Sequence, residues 1–267
     1  MLSFLVSLLS LQAPSPRSAA SRRAVLGGAA AATLAPLAAV ADVRGANENV
    51  PTDERGINKL LQQQGLPPFK VKGGFTPLLE YIGTAQPANI DGLKARERAF
   101  KSTLLVRFQY PSGWLPSAPS ITENGEAGNV GANNFIKGDS ATFAALPLPK
   151  GKQLDELNKE FFKTWLTSQM ANDVFEDVKV KKIRPVKQAD GTEMVFVDFG
   201  YTLLTRAGFT VLRQGMASAM VTNDAVVGIV VATTQLRYKE LADQIEVCTD
   251  SFRAYQVSTP AFAGSII

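Results

Sequence analysis

Histidine is absent from all 267 residues, and cysteine occurs once, at Cys248. Without histidine there is no Ser-His-Asp or Cys-His nucleophilic system, no histidine zinc site and no haem held by histidine. One cysteine makes no internal disulfide and no multi-cysteine metal or iron–sulfur site. No phosphate-cradling P-loop occurs, and no G-x-G-x-x-G follows a strand. An enzyme built on this chain would have to work with carboxylates, Lys, Tyr or hydroxyls alone.

Acidic residues are missing from the first 41 positions. That stretch opens with an apolar run, Leu2 to Leu11. It continues through an Ala/Ser/Arg-rich passage to the pair Arg22-Arg23, then a weakly apolar Ala/Leu segment ending in Ala39-Val40-Ala41. Paired arginines ahead of an apolar core, closed by an A-x-A cleavage site, have the layout of a twin-arginine export signal. Two apolar modules in tandem fit two membrane crossings, as for a chloroplast thylakoid lumen protein. The opposing reading is a membrane anchor, but Ala24 to Val40, with Gly27 and Gly28, is short and weakly apolar against the ~20 residues a span needs.

The leader also accounts for most of the net positive charge. The whole chain carries 28 Lys+Arg against 24 Asp+Glu. Arg17, Arg22 and Arg23 lie in the leader, so the remaining 226 residues hold 25 against 24. A nearly neutral body has no global drive toward nucleic acid. Its length suits one sizeable domain plus an extension, expected over 42–99 and 100–260.

Asp53 to Gly65 reads as a short helix with Ile57, Leu60, Leu61 and Gln64 on one side, stopped by Gly65 and Pro67-Pro68. From Phe69 to Lys101, Pro/Gly breaks alternate with small apolar clusters, which reads as an extension draped on the domain. Strands are expected at Thr103 to Gln109, Asp139 to Leu146, Val178 to Arg184, Glu193 to Leu204, Thr210 to Val221 and Ala225 to Thr233. Arg206-Ala207-Gly208 and Thr222-Asn223-Asp224 look like hairpin turns between antiparallel neighbours. Ala225 to Ala232 is apolar throughout, as suits a central strand covered on both faces. Leu154, Leu157, Phe161 and Trp165 predict an amphipathic helix over 153–170. A second helix is expected over 236–255, with Leu241, Ile245, Cys248, Phe252 and Tyr255 inside. The pattern is α+β: an antiparallel sheet with helices on its faces.

Phe108-Gln-Tyr110-Pro111-Ser-Gly-Trp114 resembles the F-x-x-Y-P-x-x-W entry of the PsbP family. The late hairpins are similar to that family's C-terminal half, as are Ala232-Thr-Thr, Arg237-Tyr238-Lys239 and the closing Asp250-Ser-Phe252-Arg-Ala-Tyr255. The resemblance spans roughly Phe100 to Val257. It implies an α-β-α sandwich around a central antiparallel sheet and no enzymatic activity. It also implies work at the lumenal side of photosystem II, or in assembling photosynthetic complexes. Two departures point to an auxiliary or assembly relative rather than the main oxygen-evolving subunit. Nearly sixty residues separate the leader from Phe100, and the histidine used by metal-binding members is missing. Ca²⁺ is allowed by the resemblance alone.

The individual candidates carry competing readings. Tyr110 and Trp114 read as core aromatics rather than binding groups. Cys248, on an apolar stripe, reads as a buried inert thiol rather than a redox site. Glu123, Asn124 and Glu126, with Asn129, Asn133 and Asn134, offer hard oxygen ligands for Ca²⁺ but lack EF-hand spacing, so a solvated loop is the plainer reading. Lys179, Lys181, Lys182, Arg184 and Lys187 either dock on an acidic protein surface or protect a sheet edge, and both readings stand. Arg55, Lys59, Lys70 and Lys72, with Arg44, form a second, weaker docking set. The expectation is a monomer held peripherally at the membrane by photosystem II lumenal subunits, without nucleic acid. The alternatives are a lumenal enzyme, a small-ligand or metal carrier using the sheet face, and a partner in photosystem I or the NDH complex.

Overall fold

The structure, a computed structural model, describes residues 50–82, 103–117, 130–168, 170, 174–205, 208–222 and 225–257. Arg22, Arg23, Ala39, Ala41, Arg44, Glu123, Asn124, Glu126 and Asn129 lie outside those residues, as do the turn positions 206–207 and 223–224. The described elements are helices α1 (Glu54–Gln63), α2 (Lys159–Thr167) and α3 (Tyr238–Ser251) and ten strands. The strands are β1 (Phe75–Ile82), β2 (Leu104–Pro111), β3 (Leu115–Ser117), β4 (Gly131–Asn134), β5 (Asp139–Pro147), β6 (Phe175–Lys187), β7 (Glu193–Leu204), β8 (Thr210–Thr222), β9 (Ala225–Thr234) and β10 (Arg253–Gln256).

The fold class is α+β, with helices on both faces of a large antiparallel sheet. Seven strands pair in the order β3-β4-β5-β9-β8-β7-β6, which puts β9, apolar from Ala225 to Ala232, in the middle. Its side chains serve two cores. Val227, Ile229 and Val231 face α3 through Leu241, Ile245 and Cys248. Val226 packs on the opposite face with Phe162, Trp165 and Leu166 of α2. Trp165 also donates its indole N–H to the Val226 carbonyl at 3.1 Å, so the largest buried side chain satisfies its one donor. Gly228 makes room for that ring: a Cβ there would stand 2.7 Å from Trp165 Cζ2.

The α3 face is shared with a second sheet of three strands, β1-β2-β10. Leu104, Val106, Phe108 and Tyr110 of β2 alternate into the core against the large sheet, while Leu105 turns the other way. There it meets Leu79, Tyr81 and Phe69, covered by Ile57 and Leu61 of α1. Asp53 caps α1, accepting from the Gly56 N–H at 2.9 Å. Asn58 then fixes the outgoing chain by exchanging two hydrogen bonds with the Phe69 backbone, at 2.8 and 2.6 Å.

Three expectations require correction. The stretch after Phe69 contains a regular strand, β1, paired along its whole length with β2. Pro77 obscured it, yet β1 is an edge strand, where a residue without an N–H is tolerated. The helix expected over 153–170 is split into a 3-10 turn, Leu154–Glu156, and α2. Asn158 adopts an extended conformation and accepts from the Phe161 N–H at 2.9 Å, so its side chain starts a new helix instead of continuing one. The final helix ends at Ser251, not Tyr255. Residues 253–256 pair with β2 instead, because strand pairing there satisfies a backbone edge that helical continuation would leave open. Tyr255 therefore accepts from Arg107, at 3.3 and 3.2 Å, rather than lining a helix.

Glu80, on the core side of β1 between Leu78 and Ile82, leaves its Oε2 buried with no hydrogen-bond partner among the described residues. Burial pushes its carboxyl up from 4.5 to about 7. Below pH 4.5 the group is neutral in folded and unfolded chains alike. Between 4.5 and about 7 only the unfolded chain ionises, so stability falls across that window, by up to about 3 kcal/mol. Glu80→Gln should flatten this loss in urea melts taken at a series of pH values; an unchanged slope would contradict the assignment. Gly228→Ala should cost about 3 kcal/mol, because the displaced partner is the buried Trp165 ring and the neighbouring strand backbone.

Candidate functional site

β6 is the outer strand of the large sheet, and on it the sequence places five basic residues. A β-bulge between Val180 and Lys182 shifts the register with β7, and Pro185 removes one backbone donor from the exposed edge. Lys179, Lys181 and Lys182 are exposed and make no ion pair among the described residues. Gly200 across the ladder lets the end of the Lys181 side chain lie close: a Cβ there would be 3.6 Å from Lys181 Cε. Arg184 is different, since Asp198 holds it at 3.0 Å with both groups partly buried. Lys187 stands 4.0 Å from Glu193, both largely in water, a contact worth little. Among the described residues, three of the five charges thus remain without an ion-pair partner, grouped at the middle of the strand.

The second basic set lies on another layer. Arg55 and Lys59 are exposed on α1, and Lys70 and Lys72 on the segment leading to β1. The Lys72 backbone N–H donates to Gln109 Oε1 at 2.7 Å, which fixes the chain there and leaves the ammonium group outside.

The aromatic motif makes the passage between the two sheets. Pro111 ends β2, Gly113 takes a positive φ of 95°, and the Trp114 N–H returns to the Pro111 carbonyl at 3.2 Å. Phe108, Tyr110, Trp114 and Phe252 all lie in the core that faces both sheets. Tyr238 packs at its margin, its hydroxyl pushed up by burial. Cys248 is fully buried, and burial pushes its thiol up to about 12, leaving no thiolate to react.

Sequence reasoning missed a buried polar network around Asp139. That carboxylate accepts from Thr233 Oγ1 at 2.6 Å and from Arg237 Nη1. The Asp139 contact holds Arg237 above its usual range. Arg213, also buried, donates to Ser140 Oγ at 3.0 Å, to the Ala232 carbonyl at 3.1 Å and to the Gly138 carbonyl. The starts of β5 and β8, the end of β9 and the entry to α3 are joined here. The visible signal was weak: an acid opening an apolar strand, with arginines far away in sequence.

Two hollows lie on the large sheet. One, of about 170 Å³, is walled by Ser140, Thr142, Ala144, Leu166, Met170, Tyr201, Val230 and Ala232, and bears hydroxyls but no carboxylate. The other, of about 340 Å³, is an open groove by β6 with Asp155, Lys187 and Glu193 on its walls. Among the described residues no three His, Cys, Asp or Glu side chains come together as a metal site.

No protein-family model matches the chain, and no curated protein matches it in sequence. Among solved structures, the chain is similar to the solution structure of cyanobacterial PsbP (CyanoP) from Synechocystis sp. PCC 6803, at 15% identity and a TM-score of 0.41, over 62% of this chain and 99% of that one.

Removing Arg237 strands the buried Asp139 carboxylate, while removing Asp139 leaves a partly exposed arginine that can turn to water. Arg237→Met should destabilise by about 3 kcal/mol in urea unfolding and Asp139→Ala by less, whereas Lys187→Ala should change stability by less than about 0.5 kcal/mol. Equal, small effects for all three would show that the network is not holding the sheet end.

Proposed function

We propose that the chain is a non-enzymatic protein of the thylakoid lumen that docks on photosystem II as an extrinsic or assembly factor. In this reading residues 1–41 are a removable leader, 42–99 an extension and 100–260 a PsbP-like domain. The support from sequence is the two-module leader and the motif running from Phe108 to Tyr255. The observation that carries the docking mode is the set of unpaired, exposed Lys179, Lys181 and Lys182 on an edge strand whose other basic residues are neutralised or weakly paired.

Such a row acts by electrostatics. Ammonium groups carried on a paired strand already share one face toward an acidic lumenal loop, and long-range attraction raises the rate of encounter. Exposed pairs formed this way are screened within roughly 8–10 Å at physiological salt, so retention falls as ionic strength rises. The same lysines discourage strand addition at the β6 edge, so protection and docking are served by one arrangement. The hydroxyl-lined hollow beside Tyr201 favours a second reading, a small-ligand carrier, for which the β6 charges would be incidental.

The test is co-migration with solubilised thylakoid complexes on native gels at low and high salt. Wild type should run with photosystem II at low salt only. A Lys179→Gln, Lys181→Gln, Lys182→Gln variant should run free at both. Migration with photosystem I or the NDH complex would reassign the partner, and a chain free at both salts would sink the docking reading.

A further inference from the structure

The large exposed apolar side chains of this protein are not scattered. Seven are exposed among the described residues, and six gather at one end of the seven-stranded sheet: Leu115, Phe135, Ile136, Phe209, Leu212 and Leu236, with 60 to 97% of their surfaces in water. The strand registers place them together. Leu115 opens β3 opposite Asn133, and Phe135 and Ile136 form the turn between Asn134 and Asp139, which are paired. Phe209 lies in the hairpin closed by Leu204 and Thr210. Arg213 pairs with Thr234, and the Gln235 N–H donates to the Leu212 carbonyl at 2.8 Å, which brings Leu212 beside Leu236. Arg237 donates to the Lys137 carbonyl at 3.4 Å, joining the β9–α3 turn to the β4–β5 turn.

We propose that this rim is a lipid-binding edge that inserts into the interface of a membrane bearing anionic headgroups. The shape favours a bilayer. These side chains protrude from separate turns, whereas a peptide or helix partner needs a groove with apolar walls. The charge pattern agrees, because exposed basic residues lie close to the apolar tips in sequence: Lys137 follows Phe135-Ile136, and Lys239 lies three residues after Leu236, whereas Arg237 is held by Asp139. Apolar tips entering the acyl boundary with flanking Lys and Arg at headgroup level is the arrangement that binds interfaces. The acids near this end, Glu176 and Asp177 on β6 and Glu240 on α3, are not interleaved with the tips in sequence. No helix among the described residues is long and apolar enough to cross a membrane, so the contact is peripheral. The Asp139–Arg237–Arg213 network ties the β4–β5 turn to the β9–α3 turn, so Phe135, Ile136 and Leu236 are presented from turns already held together, which lowers the ordering cost of binding. This inference goes beyond the docking reading and does not rest on it, since it uses none of the β6 lysines.

Full-length Ile136→Cys protein labelled with an environment-sensitive nitrobenzoxadiazole dye tests it, because buried Cys248 stays unlabelled. Val186→Cys, the exposed apolar position near the other end of β6, is the control, and both carry the same leader. The probes are vesicles of phosphatidylcholine mixed with phosphatidylglycerol, with and without brominated acyl chains. The dye at 136 should shift to the blue and be quenched by bromine, while the dye at 186 should not. Adding Phe135→Ser with Phe209→Ser should weaken the vesicle affinity read at 136 by about tenfold or more. Several outcomes would overturn the proposal: no response at 136, equal quenching at both positions, or an affinity unchanged by the serine substitutions. A blue shift that grows with protein concentration without vesicles would assign the rim to a second copy of the chain. A response only to membrane protein complexes would assign it to a protein partner, and would equally overturn the lipid reading.

Discussion

Both faces of β9 are apolar, and nearly everything else in this fold follows from the need to cover them. Val227, Ile229 and Val231 point one way and Val226 the other, so no solvent-facing side is available to the middle of the sheet. One short helix, α2, covers the Val226 face by inserting Trp165 against a strand kept bare at Gly228. The other face is too wide for α3 alone. The three-stranded sheet lies alongside it, and that second sheet in turn exposes an apolar outer surface that α1 closes. The architecture is therefore a helix–sheet–helix sandwich with an added sheet on one side, each layer recruited by the uncovered surface of the one before.

Polar groups enter this stack where layers must be joined. Asp139, Arg213 and Arg237 tie four chain ends at one rim of the large sheet. On the small sheet, Arg253 reaches Asp190 of the β6–β7 turn at 2.8 Å. Burial alone would raise the Asp190 carboxyl, but the Thr192 N–H and Arg253 outweigh it and hold that group down at about 2. Arg107, buried beside Arg253, has no carboxylate partner among the described residues and rests instead on the Tyr255 hydroxyl and, at 4.5 Å, over the Phe69 ring. These contacts fix the sheets relative to one another and leave the remaining charges to the surface. Two surface features then remain, a cationic edge strand and an apolar rim with basic neighbours. A protein using both would be held at a membrane by protein and lipid together, with each weak contact made stronger by the other's tethering.

Much of this was legible in the chain. The strand-like runs from Glu193 to Thr233, cut by two turn signals, read as three long antiparallel strands, because apolar runs of that length bounded by turns can only pair with their neighbours. The helix before Gly65 was equally readable from Asp53, the apolar spacing and the glycine. Elements whose reason to exist is a neighbour were not. β1 and β10 form because β2 offers two open edges, and neither a proline-bearing segment nor the tail of an amphipathic helix announces such an edge. β3 and β4, three and four residues long, fall below what alternation can reveal. The break at Asn158 was written locally, yet it was overruled by an apolar spacing that continued across it.

The same division runs through the candidate surfaces. The sequence alone determined which catalytic groups the chain lacks, that most of the basic excess lies in the first 41 residues, and that the lysines of β6 alternate with apolar residues, since these depend on residue types and their order. Only the tertiary structure decided that Arg184 is neutralised while three lysines stay free, that Asp139 meets Arg237, and that six apolar tips from distant turns share one rim. Those outcomes depend on which chain ends the strand registers bring together. No local pattern carries that information, because register is set by the whole sheet closing over its core.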